Sequence, residues 1–181
     1  MDGNLGKRLR VFDASVTQTV LWCSESWLIT QREKQILRST QHAMLRKIAG
    51  ARRQPSEDWL DWLKRSTRRA LAAAKEHKIR MWHEAHIKQK WTWAGRVMQM
   101  PAYRLARRAV EWRDSAWQAT EALLPSALRV RRPTRSHWFR WEDELRRYAT
   151  YKGWSSWQSV AKSEPDTWMQ SFSNFLDHIR K

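Results

Sequence analysis

The sequence predicts an all-α protein, and three observations support this prediction. The 181 residues include only 5 Gly and 5 Pro, which is few for a turn-rich β fold. Apolar residues recur at steps of three and four along most of the chain, as on one face of a helix. The 14 Trp argue against a disordered chain and supply bulk for a core. We therefore expect a multi-helix bundle over residues 1–124, a basic linker over 125–134 and a smaller helical subdomain over 135–181.

The first two predicted helices are marked by an apolar stripe and by local start and stop signals. A helix from about residue 5 to 27 is predicted by apolar residues at helical spacing, namely Leu5, Leu9, Phe12, Val16 and Val20. Thr30 and Glu33 have the spacing of a capping box, in which a hydroxyl and a carboxylate each accept a hydrogen bond from a backbone amide. Gly50 is expected to end this second helix, because glycine adopts the left-handed conformation freely.

The middle of the chain is predicted to be helical over a long stretch. Ser56 is expected to cap a new helix, since the two acids that follow it suit a first helical turn. Residues 56–94 contain no Gly or Pro, which allows either one long helix or two helices that meet near His77 and Lys78. Within residues 79–104 the apolar side chains occupy two neighbouring helix faces, so we expect this segment to lie among other helices.

Shorter helices are predicted in the C-terminal part. After Pro101 a helix is expected to run to about residue 124, with Leu105, Ala109, Trp112 and Ala116 as its apolar stripe. A further helix is expected to carry Trp138, Trp141, Leu145 and Tyr148 on one face and to end at Gly153. A short helix around residues 157–161 is expected next, and Pro165 is expected at the first position of the last helix.

The net charge is the main indication of function. Lys and Arg number 35 against 18 Asp and Glu, which gives +17 and a pI of about 11.0. Such a charge favours a polyanionic partner, with nucleic acid as the leading candidate and an anionic membrane surface as the second. No apolar run is long enough to span a bilayer, no signal-peptide core is present, and the single Cys excludes an internal disulfide. We expect an intracellular protein without a membrane anchor; the oligomeric state stays open.

Patterns typical of enzymes and metal proteins are weak or missing. His83 and His86 are three residues apart, whereas a zinc-protease helix needs a spacing of four. The acid clusters at residues 57–61 and 142–144 are more simply explained as first-turn acids of helices. No phosphate-binding Gly-rich loop and no nucleophile elbow occurs. The sequence therefore predicts no catalytic residue, no metal ligand and no cofactor.

Clusters of basic residues are the candidate binding site. Residues 46–90 carry thirteen Lys and Arg against five Asp and Glu, an imbalance that amphipathic helices do not need for solubility. The predicted contacts to nucleic acid are Arg46, Lys47, Arg52, Arg53, Lys64, Arg65, Arg68, Arg69, Lys88, Lys90, Arg96, Arg104, Arg107, Arg108, Arg131 and Arg132. Most Trp are expected inside, with one or two available to stack on unpaired bases.

Four motifs in order resemble the C-terminal part of LINE-type (non-LTR) retrotransposon reverse transcriptases. Residues 20–27, VLWCSESW, following the LRVF of residues 9–12, are similar to the family's vLlYGsEtW segment, and residues 44–50, MLRKIAG, to its mLRrIlG. Residues 90–101, KWTWAGRVMQMP, resemble kWrWaGHvaRmp, with Arg96 where the family usually has His. Arg-Pro at residues 132–133 and RWED at 140–143 resemble its gRP..RWeD ending.

The resemblance implies a helical thumb followed by a basic connector, which bind template and primer in that family. The family's palm, with its Asp-Asp metal site for RNA-directed DNA polymerisation, would lie upstream of residue 1. The expectation is therefore a thumb-like bundle that binds RNA or an RNA/DNA hybrid and does not polymerise on its own. The resemblance also implies a nuclear location. Two alternatives stay open: an inactive retroelement relic, and a basic module for a membrane surface or a protein partner.

Overall fold

The computed structural model describes residues 3–111 and 141–180. All regular secondary structure in these residues is helical, which confirms the predicted all-α class. The contacts within the chain divide it into two compact units, unit 1 (Met1–Lys90) and unit 2 (Trp91–Lys181). The predicted linker over 125–134 lies outside the described residues, so the predicted domain boundaries stay a prediction.

The N-terminal segment of unit 1 winds continuously through three helical pieces. Helix α1, Gly3–Phe12, leads through a π-helical turn, Asp13–Thr17, into the short helix α2, Gln18–Val20. The prediction of one helix to about residue 27 is wrong beyond α2. Cys23 has a φ of 54°, so the backbone there enters the left-handed region and leaves the helix. A 3₁₀ turn, Ser24–Ser26, follows.

Helix α3, Gln31–Ala49, begins and ends where the sequence predicts. The Thr30 hydroxyl accepts a hydrogen bond from the Glu33 amide at 3.3 Å, and the Glu33 carboxylate accepts one from the Thr30 amide at 2.6 Å. Gly50 follows the last turn with a φ of 63°. Both signals act between residues at most four apart, and for that reason the sequence alone is enough to locate them.

Residues 56–94 form parts of two helices rather than one. Helix α4 is Trp59–Glu76 and helix α5 is Trp82–Gln99. The chain leaves α4 at Lys78, whose φ of 55° places it in the left-handed region after the helix end. Of the two alternatives that the sequence left open, the structure therefore has two helices, and the first of them ends near His77 and Lys78 as expected.

The N-cap of α4 differs from the prediction. Asp58 caps the helix by accepting a hydrogen bond from the Leu60 amide at 2.7 Å, so Ser56 is not the cap. The residue between them, Glu57, forms an ion pair with Arg65 at 2.7 Å. This pair holds the preceding turn along the side of α4, and the helix consequently starts two residues later than expected.

The core of unit 1 lies between α1, α3, α4 and the start of α5. Its buried apolar residues are Leu9, Phe12, Leu21, Leu45, Ala49, Ala70, Ala74, Ile79 and Trp82. Trp82 stacks on Phe12 at 5.9 Å and donates its indole N–H to the Thr17 hydroxyl at 2.9 Å. Gln41, fully buried on α3, donates to the Arg80 carbonyl and accepts from the Trp82 amide. These bonds fix the first residue of α5 against α3.

Unit 2 is built around stacked tryptophans. Besides the end of α5 it contains α6 (Leu105–Glu111), α7 (Asp143–Tyr151), α8 (Trp157–Ser163), α9 (Pro165–Gln170) and α10 (Phe172–Arg180). The rings of Trp91 and Trp168 lie 3.7 Å apart and 2° from parallel. Each indole N–H donates to the backbone carbonyl of the other residue at 3.2 Å. Buried indoles keep their polar atom satisfied in this way.

Several C-terminal predictions are confirmed and two are wrong. Gly153 ends α7 with a φ of 69°, the short helix near residues 157–161 is α8, and Pro165 is the first residue of a helix, α9. That helix is not the last one, because α9 ends at Gln170 and α10 follows it. The prediction that Leu105 and Ala109 belong to a buried apolar stripe of α6 is wrong, because both are exposed. The rest of that stripe, and Trp138, lie outside the described residues.

Candidate nucleic-acid interface

Helix α4 separates a buried face from a basic outer face. Ser66, Ala70 and Ala74 lie four residues apart and form the buried line. Residues 64–75 contain five Lys or Arg and no Asp or Glu. These five are all exposed: Lys64, Arg65, Arg68, Arg69 and Lys75. Lys64, Arg68 and Lys75 follow each other at steps of four and seven, so one side of α4 presents them as a row.

Arg65 is the one member of this group with an acid partner among the described residues. Its guanidinium makes two hydrogen bonds of 2.7 Å to the Glu57 carboxylate and one to the Arg52 carbonyl. The hydrogen bonds from Arg65 lower the pKa of Glu57, and the same bonds raise the pKa of Arg65. Arg53 donates to the Glu57 carbonyl at 2.8 Å. Arg65 and Arg53 thus order the turn before α4.

The end of α3 adds two predicted contacts beside α4. Arg46 is half-buried and donates to the Thr67 hydroxyl of α4 at 3.2 Å. Lys47 is exposed. Arg46 therefore joins the two helices, while Lys47 is open to solvent.

Helix α5 divides its predicted contacts between the surface and the interior. Lys88 and Arg96 are exposed, as the prediction requires. Lys90 is 2% exposed, so its predicted role as a phosphate contact is wrong. The reason is its position one turn after His86, which is itself buried and stacks on Trp27 at 6.1 Å.

Arg107 on α6 is a second predicted contact that the structure buries. Its side chain is 7% exposed and donates to the carbonyls of Met98 at 2.6 Å and Met100 at 2.8 Å. It also pairs with Glu111 at 2.7 Å. Arg107 therefore satisfies backbone carbonyls at the end of α5, a common use of arginine near a helix C-terminus. The neighbouring Arg104 and Arg108 are exposed, while Arg131 and Arg132 lie outside the described residues.

One basic residue of the α4 row was missing from the sequence prediction. Lys75 follows Arg68 by seven residues and is exposed on the same side of the helix. The seven-residue spacing between Arg68 and Lys75 could have identified Lys75 from the sequence, because residues seven apart lie on the same face of a helix after two turns.

Other kinds of site have less support in the described residues. No group of three or more His, Cys, Asp and Glu in residues 3–111 and 141–180 is placed to hold a metal ion. Among the described helices, none combines the length and the apolar character that are needed to cross a bilayer.

The four retroelement-like motifs fall at different points of the fold. The MLRKIAG segment forms the end of α3 and its glycine stop, and most of KWTWAGRVMQMP lies in α5. VLWCSESW covers the exit from α2 and the 3₁₀ turn. Arg-Pro and the first residue of RWED lie outside the described residues. No protein-family model, curated protein or solved structure matches this chain.

Proposed function

We propose that this chain binds nucleic acid through the outer face of α4 and the adjoining end of α3. The observation that carries the proposal is the row of exposed Lys64, Arg68 and Lys75 on a helix stretch without a single acid. A row of cations attracts a phosphate backbone that lies along it. In the free protein the same cations repel one another, so the bound state is favoured. Phosphate contacts position the nucleic acid and carry no sequence preference.

The nucleic acid that fits this proposal is single-stranded RNA or an RNA/DNA hybrid. Trp59 is 52% exposed at the first residue of α4. It precedes Ser66 by seven residues and therefore lies on the same side of the helix as Ser66, at the end of α4 from which the basic row starts. An exposed indole on the helix that carries the row suits an unpaired base, since base–aromatic stacking tolerates any sequence. We further propose that the chain is the thumb and connector part of a LINE-type reverse transcriptase, on the motifs described above. An in-frame palm motif in the DNA upstream of the Met1 codon would support this assignment.

Binding is tested by fluorescence anisotropy with a labelled single-stranded RNA, an RNA/DNA hybrid and a duplex DNA between 50 and 200 mM salt. We expect affinity to fall steeply with salt. If about six phosphates are contacted, the factor over this range is ~300 for a single strand and ~10³ for duplex DNA. A flat salt response, or no binding at 50 mM salt, would overturn the proposal. Stronger binding to anionic vesicles than to RNA would instead favour the membrane-surface alternative.

The double variant K64A/R68A locates the binding face. Removal of two phosphate contacts should reduce the slope of log affinity against log salt by roughly 1.4 for a single strand. The matched control is K152A/K162A, which removes the same charge from exposed positions of unit 2 outside the predicted contacts. An equal effect of the two double variants would mean that net charge, and not the α4 row, determines binding.

A further inference from the structure

Helix α3 carries a second line of basic side chains, of which the sequence prediction included only the last, Arg46. Lys34, Arg38, His42 and Arg46 recur at every fourth residue. Each step of four residues advances about 6 Å along a helix, so the line extends over about 18 Å on one side of α3. Residues 34–56 contain no Asp or Glu at all. We call these four residues the α3 ladder.

Partial burial, followed by the charges of Arg38 and Arg46, lowers the pKa of His42, so its imidazole is uncharged near pH 7 in the free protein. The two arginines therefore create a positive potential at this point of the helix. A bound polyanion would lower that potential and favour a protonated His42.

Three members of the ladder line an open cleft on the surface of α3, together with donors that suit phosphate oxygens. The cleft has a volume of about 500 Å³, and its lining residues all belong to α3: Gln31, Lys34, Gln35, Arg38, Ser39 and His42. It contains no acid, and its uncharged members offer amide and hydroxyl donors beside the cations. Hydroxyl and amide side chains join Arg and Lys in the phosphate contacts of nucleic-acid-binding proteins.

The ladder also adjoins the basic row of α4. The hydrogen bond of 3.2 Å from Arg46 to Thr67 places the ladder side of α3 against the side of α4 that carries Thr67. Lys64 lies one turn before Thr67 on that side, and residues three apart on a helix are neighbours. The α3 ladder and the α4 row therefore belong to one surface of unit 1.

We propose that the α3 ladder is a phosphate-backbone contact of its own, which extends the bound strand from the α4 row along α3. The inference rests on the proposed function and adds a specific path for the strand. Arg38 is the residue that tests it best, since it is exposed, lines the cleft and is absent from the contacts predicted by the sequence.

The experiment measures the salt dependence of single-stranded RNA binding by R38A and by R32A. Both variants remove one exposed arginine from α3, but Arg32 lies outside the cleft lining. We expect R38A to reduce the slope of log affinity against log salt by about 0.7. If R38A and the wild-type protein bind equally at 1 M salt, this change makes R38A bind about fivefold more weakly at 0.1 M salt. R32A should leave the slope unchanged, and R38K, which keeps the charge, should restore it.

The outcomes separate this inference from the proposed function. If the wild-type protein binds RNA and K64A/R68A weakens binding, but R38A behaves as R32A does, the α3 ladder is not a contact and only this inference fails. If the wild-type protein does not bind RNA at low salt, the proposed function fails first. Circular dichroism at 222 nm on each variant confirms that α3 is intact, because a lost helix would change the signal as well as the slope.

Discussion

Two single residues in unit 1 hold the backbone in a conformation that suits glycine. Cys23 and Lys78 have φ values of 54° and 55°, and each lies where the chain leaves a helix. For a residue with a Cβ, the left-handed conformation costs about 1–2 kcal/mol because Cβ approaches the following carbonyl oxygen. Lys78 is exposed, so its side chain does not depend on the core. The strain at Lys78 is therefore open to relief by substitution.

We expect Lys78→Gly to raise the free energy of unfolding by about 0.5–1 kcal/mol. Glycine removes the Cβ strain at this helix end, and the added chain entropy of the unfolded state offsets only part of the gain. The measurement is urea denaturation followed by circular dichroism. Ala72→Gly is the control with the opposite sign, because position 72 is exposed in the interior of α4, where glycine costs about 1 kcal/mol relative to alanine. Destabilisation by both variants would show that Lys78 is not strained.

Gly95 is required for the tryptophan packing of unit 2. A Cβ at this position would lie 2.8 Å from Cδ1 and Nε1 of Trp168, whose ring is stacked on Trp91 and hydrogen-bonded to its carbonyl. These contacts leave the ring no room to move away. The glycine therefore serves close approach, since a helix interior would otherwise favour alanine.

Gly95→Ala should lower the free energy of unfolding by about 1–3 kcal/mol, in spite of the better helix propensity of alanine. Near-ultraviolet circular dichroism should lose intensity as well, since the Trp91–Trp168 stack would be disturbed. Thr92→Ala, three residues earlier on α5, is the control and should stay within about 0.5 kcal/mol of wild type. An unchanged or higher stability of Gly95→Ala would contradict the packing described for Trp168.

At the scale of helices, the start of α3 is fixed by its capping box. Thr30 and Glu33 exchange hydrogen bonds at 3.3 and 2.6 Å, which satisfy two backbone amides of the first turn. The backbone amide of Thr30, followed by its hydroxyl, lowers the pKa of Glu33. A lowered folded-state pKa means a stabilising contribution that is present above the ordinary pKa of glutamate and is lost as pH falls through the folded-state value.

Thr30→Ala should lower the free energy of unfolding by about 1 kcal/mol at pH 7, because the Glu33 amide loses its acceptor. The difference from wild type should narrow as the pH is lowered from 7 to 3, since protonated Glu33 no longer gains from the hydroxyl. Chemical denaturation at a series of pH values measures both effects. Thr40→Ala, exposed on the same helix, is the control and should show neither. A difference that widens with acid would contradict the sign.

The sequence was enough to predict helix boundaries that depend on local signals. It was not enough to predict which basic residues of the candidate site are exposed. The capping box, Gly50 and Pro165 act within one turn, so the residues alone identify them. Lys90 and Arg107 look like any other basic residue in the sequence. Their burial depends on which neighbours pack against α5 and on the carbonyls that Arg107 reaches, and that information lies in contacts between helices.

At the scale of the whole molecule, positive charge is spread over the full sequence. Residues 1–90 carry 19 Lys and Arg against 9 Asp and Glu, and residues 91–181 carry 16 against 9. Self-repulsion of this size destabilises a compact state, and salt screens it over a length of about 10 Å at 0.1 M. Salt therefore has two opposite effects here: it stabilises the free protein and weakens its proposed complex with a polyanion.

We expect the thermal unfolding midpoint of the free protein to rise between 20 and 500 mM NaCl, because screening reduces the repulsion among the excess cations. A single-stranded oligonucleotide at one hundred times its dissociation constant should raise the midpoint at 20 mM NaCl, since binding to the folded state adds about 2.7 kcal/mol of stability. At 500 mM NaCl the same oligonucleotide concentration should have no effect. A peptide nucleic acid of the same base sequence has an uncharged backbone and should not shift the midpoint at either salt. A shift by the uncharged analogue would assign recognition to the bases, and the basic helices would lose their proposed role.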